Sequence, residues 1–255
     1  MIDLILIGIG TGNPDHLTLQ AIKALNGADL VLIPRKGENK ADLAELRRTI
    51  CAEVITNPST RFAEFDLPVR DPAIADYTAR VDAWHDAIAA VWEETILAQM
   101  GSSGRVALLV WGDPSLYDST LRIAGRVARS MPLRISVVPG ITSLQALTAS
   151  HAIPLNEIGA PFTITTGRRL RDEGWPAGVD TLVIMLDGEC SFQAIAPQGV
   201  SIWWGAYVGM AEEITMAGPL AEMADKIVAR RAEARAKHGW IMDIYLLRRD
   251  PPARG

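Results

Sequence analysis

A chain of 255 residues, 49% apolar and 22% charged, is long enough to bury roughly three quarters of its unfolded surface in one large or two small domains, which excludes a mainly disordered protein. A net charge of −5 excludes a global electrostatic footprint for nucleic acid or anionic lipid, so an anionic ligand must find a local basic pocket. Two cysteines, Cys51 and Cys190, and four scattered histidines provide neither a disulfide framework nor metal-ligand spacing, so a reduced, cytoplasmic protein without a metal is expected.

The apolar opening, Met1 to Ile9, has no basic leader or small-residue cleavage site, and no run reaches the ~20 residues of a membrane helix. Ile2 to Ile9 reads instead as a strand buried on both faces of a parallel sheet. After its glycines, Leu17, Ala21, Ala24 and Leu25 fall at helical spacing, Gly27 ends the helix, and Leu30 to Ile33 forms the next strand. A long helix is expected from Pro72, with Ile74, Tyr77, Val81, Trp84, Ile88 and Val91 on its buried face. Val106 to Val110 is a buried strand running into Gly112-Asp113-Pro114, a helix covers about Leu116 to Ser130, and Leu133 to Val138 is a strand ending at Pro139-Gly140. The alternation is that of an α/β fold.

Beyond residue 140 the rhythm changes, which sets expected domains at 1–139 and 140–255. Strands are expected at about Phe162 to Thr165, Thr181 to Leu186, Val200 to Trp204 and Ile241 to Leu247, with one clear late helix near Leu220 to Ala236. The tail, Asp250 to Gly255, continues neither strand nor helix.

Gly8-Ile9-Gly10-Thr11-Gly12-Asn13-Pro14 stands between a buried strand and a helix, where backbone approaches a ligand or another element closely. A dinucleotide-binding loop would carry a third glycine at position 13 and an acid at the end of the second strand. The chain has Asn13 there, and Pro34, Arg35 and Lys36 after the strand. Those cations suit the extra phosphate of NADP, so an NADP-dependent oxidoreductase stays open, as does a purely structural glycine turn.

Three signatures follow predicted strands: Gly8-x-Gly10-x-Gly12-Asn13-Pro14-x-x-Leu17-Thr18, Gly112-Asp113-Pro114-Ser115-Leu116-Tyr117 and Val138-Pro139-Gly140-Ile141-Thr142-Ser143. In their order and spacing the chain resembles the tetrapyrrole methylases, from residue 1 to about residue 247. The similarity includes Ala28-Asp29-Leu30-Val31 and Thr181 to Met185. Gly10 to Asn13, Ile33 to Lys40 and Trp203-Trp204-Gly205-Ala206-Tyr207 are most similar to the branch whose members methylate a precorrin with release of acetate. Where most of the family has Gly-Pro-Gly-Asp, this chain has Gly10-Thr11-Gly12-Asn13. The family's late Gly-Thr-Leu is Gly218-Pro219-Leu220, and its Tyr-Met pair is Met185-Leu186.

The resemblance implies two α/β domains, the first with a mostly parallel sheet and the second with a mixed one, and S-adenosyl-L-methionine in a cleft between them, leaving S-adenosyl-L-homocysteine as product. It implies cofactor contacts from Gly10, Gly12, Pro14, Gly112, Asp113, Leu116, Thr142 and Ser143, and from Met185, Leu186, Ala206, Tyr207, Gly218 and Pro219. It also implies a homodimer and no metal. Asp113, Thr142 and Ser143 are equally readable as helix caps.

An enamine-like carbon of a reduced tetrapyrrole is already nucleophilic, which agrees with the absence of a nucleophile motif. Acetate release needs water, a proton acceptor and a polarised carbonyl; Asp113 and Tyr117 are the acid and phenol placed by motif, with a half-buried aromatic as the simpler reading of Tyr117 and substrate carboxylates as an alternative source of assistance. Arg35, Lys36 and Lys40 are candidates for binding the macrocycle's carboxylates. Arg168, Arg169 and Arg171 form a second basic cluster, with a solvated surface as the simpler reading. A sibling methylase acting at another ring position, and a non-catalytic tetrapyrrole-binding protein, remain as alternatives.

Overall fold

A computed structural model describes residues 1–35 and 41–250, with Ala41, Asp42 and Leu43 described as backbone only. The chain divides into two compact units, Met1–Thr142 and Ser143 onward. Each is built on its own five-stranded sheet.

In the first unit β1 (Ile2–Gly8), β2 (Leu30–Arg35), β3 (Arg61–Asp66), β4 (Gly104–Val110) and β5 (Leu133–Val138) form a parallel sheet in the order β3-β2-β4-β1-β5. The Ile-rich first strand lies inside it and is buried on both faces, as a continuous apolar run requires. Leu4 and Leu6 pack with Ile88, Trp92 and Ile96 of α3 (Tyr77–Met100) and Val127 of α4 (Thr120–Ser130). On the other face, Ile5, Ile7 and Ile9 pack with Leu25 of α1 (Leu19–Asn26) and Ile50 of α2 (Ala41–Val54). Thr18 opens α1 by accepting a hydrogen bond from the Ala21 amide at 3.0 Å, satisfying one of the first-turn donors.

The long helix begins at Tyr77 instead of Pro72, because Asp76 caps it by accepting from the Ala79 amide at 2.7 Å. Asp71 instead forms a local turn, accepting from the Ala73 amide. Its buried residues are His85, Ile88, Ala89, Trp92 and Ile96; of the expected face, Ile88 is buried and Trp84 and Val91 pack partly buried against the core, while Tyr77 is 52% exposed. The α4 helix starts at Thr120, not Leu116.

The second unit opens with α5 (Ser143–Ser150), followed by β6 (Phe162–Thr166), α6 (Gly167–Glu173), β7 (Thr181–Met185), β8 (Val200–Ala206), β9 (Ile214–Pro219), α7 (Leu220–His238) and β10 (Asp243–Arg249). The sheet order is β6-β7-β10-β8-β9, with β6 parallel to β7 and the other pairs antiparallel. One face packs Leu182, Trp204, Tyr245 and Leu247 with Ile227 of α7. The other packs Val183, Ile244 and Leu246 with Leu144 and Leu147 of α5. The short helices α5 and α6 correct the expectation of a single late helix. Both fold sheets are thus α/β, one parallel and one mixed. Among the described residues no helix is long and apolar enough to cross a membrane.

Candidate active site

The segments after β1, β4 and β5 lie side by side at the carboxyl edge of the first sheet, because β1 sits between the other two strands. The amide of Gly112 donates to the Gly10 carbonyl at 2.7 Å, and the Gly10 amide donates back to the Gly112 carbonyl at 3.4 Å. A Cβ at Gly8 would stand 2.6 Å from the Gly140 nitrogen and 2.7 Å from the Gly112 oxygen; at Gly140 it would stand 2.0 Å from the Gly112 oxygen. Backbone therefore fills the place of side chains where the three loops meet. Gly10, Gly12 and Gly112 also have φ of 74°, 108° and 60°, conformations that glycine adopts without strain.

Asp113 ties two of these loops together. One carboxylate oxygen accepts from the Ser115 amide at 2.8 Å and from its hydroxyl, and the other accepts from the Gly140 amide at 2.9 Å. Burial works against ionisation, but the hydrogen bonds from Ser115 and Gly140 outweigh it and hold the carboxyl below the usual range. Asp113 does not cap the following helix, whose N-cap is Ser119; the intervening turn places it six residues too early. Leu116 is half-buried on the same loop. Tyr117 is 45% exposed and has φ of 49°. Thr142 is buried beside Gly112, and Ser143 begins α5.

Asn13 caps a three-residue turn, Pro14–His16, by accepting from the Asp15 amide at 2.9 Å. An amide performs this as well as a carboxylate, so the departure from the family's acid leaves the local backbone supported. The turn also separates the glycines from α1, unlike a dinucleotide loop that leads straight into its helix.

In the second unit, Met185-Leu186 and Ala206-Tyr207 end β7 and β8 on either side of β10, with Ala206 level with Asp243 and Ile184 level with Tyr245. Leu186 and Tyr207 have φ of 54° and 52°. With Tyr117, they are three of the five non-glycine residues at positive φ among the described residues, and such strain concentrates at functional positions. The strain also explains why β7 stops at Met185. Leu186 is 67% exposed. The Tyr207 ring is buried, and its hydroxyl donates to the Trp240 carbonyl at 2.5 Å.

Gly218 and Pro219 are not brought to this edge. The antiparallel pairing of β9 sets Gly218 level with Ile202, four residues short of Ala206 and so about 13 Å away along the strand. The sequence pattern gives no strand over Ile214–Pro219, so the hairpin that carries this motif to the other edge is not expected from it.

Arg35 lies at the end of β2, as expected, with Asp66 at 2.9 Å and Glu64 at 3.7 Å from the neighbouring β3. Lys36 and Lys40 lie outside the described residues. Arg169 pairs with Glu173, and Arg171 with Asp172 and Glu189, on an exposed surface. Among the described residues no group of acids, histidines and cysteines could hold a metal ion. One cation escaped the sequence reading: Arg47 of α2 stacks 5.1 Å over Trp111, next to Gly112, and donates to the Leu109 carbonyl at 3.4 Å. Burial, opposed by Asp118, draws its pKa down to about 10. Its sequence signal is only the charged stretch of α2, in which Glu45, Arg47 and Arg48 interrupt the apolar residues.

The family model described as Tetrapyrrole (Corrin/Porphyrin) Methylases matches residues 3–224. The chain belongs to the tetrapyrrole methylase family. This methylase is 53% identical over 248 residues to a precorrin-6A synthase (deacetylating) of Sinorhizobium sp, covering 96% of the chain and 95% of the relative. It superposes with a TM-score of 0.83 and 37% identity on the crystal structure of a cobalamin-synthesis-related protein (CobF) from Corynebacterium diphtheriae, covering 98% of this chain and all of that one. The uroporphyrin-III C-methyl transferase of Thermus thermophilus, solved with S-adenyl homocysteine, has a TM-score of 0.59 at 20% identity over 96% of each chain, a likeness of fold alone.

Proposed function

We propose that this methylase transfers a methyl group from S-adenosyl-L-methionine to C-1 of precorrin-5, with loss of acetate, giving precorrin-6A in aerobic cobalamin biosynthesis. The observation that carries this reading is the 53% identity to a precorrin-6A synthase (deacetylating) across 96% of the chain. A homodimer is part of the proposal, on the family resemblance.

The loops suit a sulfonium donor. Backbone crowds Gly8 and Gly140, so a ligand at this edge meets main-chain groups, and the Asp113 carboxylate there is already taken up by Ser115 and Gly140. The donor, when bound, would supply an electrophilic methyl, and the positive charge on its sulfonium sulfur would disappear on transfer, a change favoured in a dry site. We assign Gly10, Gly12, Pro14, Gly112, Asp113, Leu116, Thr142 and Ser143 of the first unit to holding it, and Met185, Leu186, Ala206 and Tyr207 of the second. Gly218 and Pro219 are omitted on the strand pairing described above. The protein's contribution to methyl transfer is alignment of donor and carbon.

For acetate release, water adds to the acetyl carbonyl with its proton passing to a substrate carboxylate, and the bond from that carbon to the macrocycle breaks with its electron pair left on the ring. Asp113, whose oxygens already accept from Ser115 and Gly140, fixes the loop, while Tyr117 at its exposed end polarises the carbonyl. Arg35, with Lys36 and Lys40, is assigned to substrate carboxylates. Its partners Asp66 and Glu64 are exposed, and such pairs contribute only about 0–1 kcal/mol, so exchanging them for a substrate carboxylate costs little.

Calorimetric titration separates this reading from an oxidoreductase. S-adenosyl-L-homocysteine is expected to bind and NADP to give no heat; binding of NADP alone contradicts the proposal.

A further inference from the structure

The loop that follows Leu186 is held by a buried polar network. Asp187, Ser191 and Tyr245 are all buried. One Asp187 carboxylate oxygen accepts from the Glu189 amide at 3.0 Å and the Ser191 hydroxyl at 2.9 Å, and the other accepts from the Ser191 amide and the Tyr245 hydroxyl, both at 2.6 Å. Arg231 of α7 donates to the carbonyls of Asp187 at 3.1 Å and Gly188 at 3.3 Å while pairing with Asp243 at 2.9 Å. Gly167 leaves room for the carboxyl, since a Cβ there would stand 2.2 Å from the Asp187 Cγ. Four donors on one buried carboxylate make the loop rigid.

Leu186, immediately before this anchor, is unfavourable twice over. It holds a left-handed backbone with a branched side chain, and it exposes 67% of its surface. Neither stabilises the fold. We propose that Asp187 and Tyr245 are positioning residues that hold Leu186 out at the end of β7 as an apolar contact for the methyl donor. The inference rests on the cofactor reading above and extends it to residues that do not themselves touch the ligand.

The test is a double-mutant cycle on the full chain, read as the Kd for S-adenosyl-L-homocysteine by calorimetry. Tyr245→Phe removes one hydrogen bond and keeps the ring, and is expected to weaken binding about fivefold. Leu186→Gly removes the side chain at a φ that glycine tolerates. In that background Tyr245→Phe is expected to change Kd by less than about twofold, since both act through one contact. The same factor in both backgrounds, or no effect in either, overturns the proposal.

Hydrogen exchange at the Glu189 and Ser191 amides, measured without ligand, is expected to quicken in Tyr245→Phe and more so in Asp187→Asn. Unchanged exchange in Tyr245→Phe also overturns it. Failure of the unmodified chain to bind S-adenosyl-L-homocysteine removes the cofactor reading and this inference with it. Binding with an additive cycle removes only the inference.

Discussion

The Gly140 amide donates a 2.9 Å hydrogen bond to the Asp113 carboxylate, linking the segment after β5 to the segment after β4 across the end of β1. The loop arrangement therefore depends on one side chain as well as on glycine backbone. Asp113→Ala should lower stability by about 1.5–3 kcal/mol, the range for losing hydrogen bonds to a charged group, and weaken S-adenosyl-L-homocysteine binding. Because the folded carboxyl titrates below its unfolded value, its contribution is present above the unfolded pKa of about 4 and lost as pH falls through the folded one. Urea midpoints at pH 7 and pH 3 check this: the difference between wild type and Asp113→Ala should shrink at acid pH.

Glycine substitutions separate close approach from mere flexibility. Gly140→Ala forces a Cβ to 2.0 Å from a carbonyl oxygen, and should cost at least about 3 kcal/mol by overpacking. Gly125, inside α4, has nothing within 4 Å of an added Cβ, so Gly125→Ala should stabilise by about 0.8–1 kcal/mol. Thermal melts of the two variants should move in opposite directions.

His85 is 4% exposed on α3, and neither ring nitrogen has a partner among the described residues. Burial, with the cations Arg126, Arg122 and Arg70 and against Asp82, pushes its pKa below the ordinary imidazole value. The neutral ring is favoured when folded, so stability is full above the unfolded pKa of about 6.5 and declines as pH drops toward the folded value. His85→Leu should remove an unpaired polar group worth about 1–3 kcal/mol and flatten the stability profile between pH 7 and pH 5. A variant with the wild-type slope would assign the acid limb to other groups.

Arg231 and Asp243 form an ion pair with side chains 11% and 8% exposed. Removing one member leaves the other charge buried, so Arg231→Ala should cost about 3–5 kcal/mol. Arg35→Ala, with its exposed partners, should leave the melting temperature nearly unchanged while raising KM for the precorrin and sparing the Kd of S-adenosyl-L-homocysteine. An unchanged KM would remove Arg35 from the substrate site.

Much of this was legible in residue order. The run Ile2 to Ile9 announces a strand buried on both faces, and the three glycine signatures fall where parallel strands deliver their loops. What stayed hidden was weakly patterned or long-range. The α2 helix interrupts its apolar residues with Glu45, Arg47, Arg48 and Glu53, and the edge strand β3 turns only Ala63 and Phe65 inward. The long helix differs from its sequence pattern because Trp84 and Tyr77 are larger hydrophobes than the His85 and Ala89 that it buries. Asp113 bonding to Gly140 and Tyr245 bonding to Asp187 join residues distant in sequence, and spacing within one chain carries no trace of them.

The most direct measurement is incubation of the chain with methyl-labelled S-adenosyl-L-methionine and precorrin-5, followed by mass spectrometry of the corrinoid and of small acids. One labelled methyl on the macrocycle together with one equivalent of acetate is the predicted result. Labelled macrocycle without acetate would place the chain with a sibling methylase, and neither product would contradict the proposed reaction altogether.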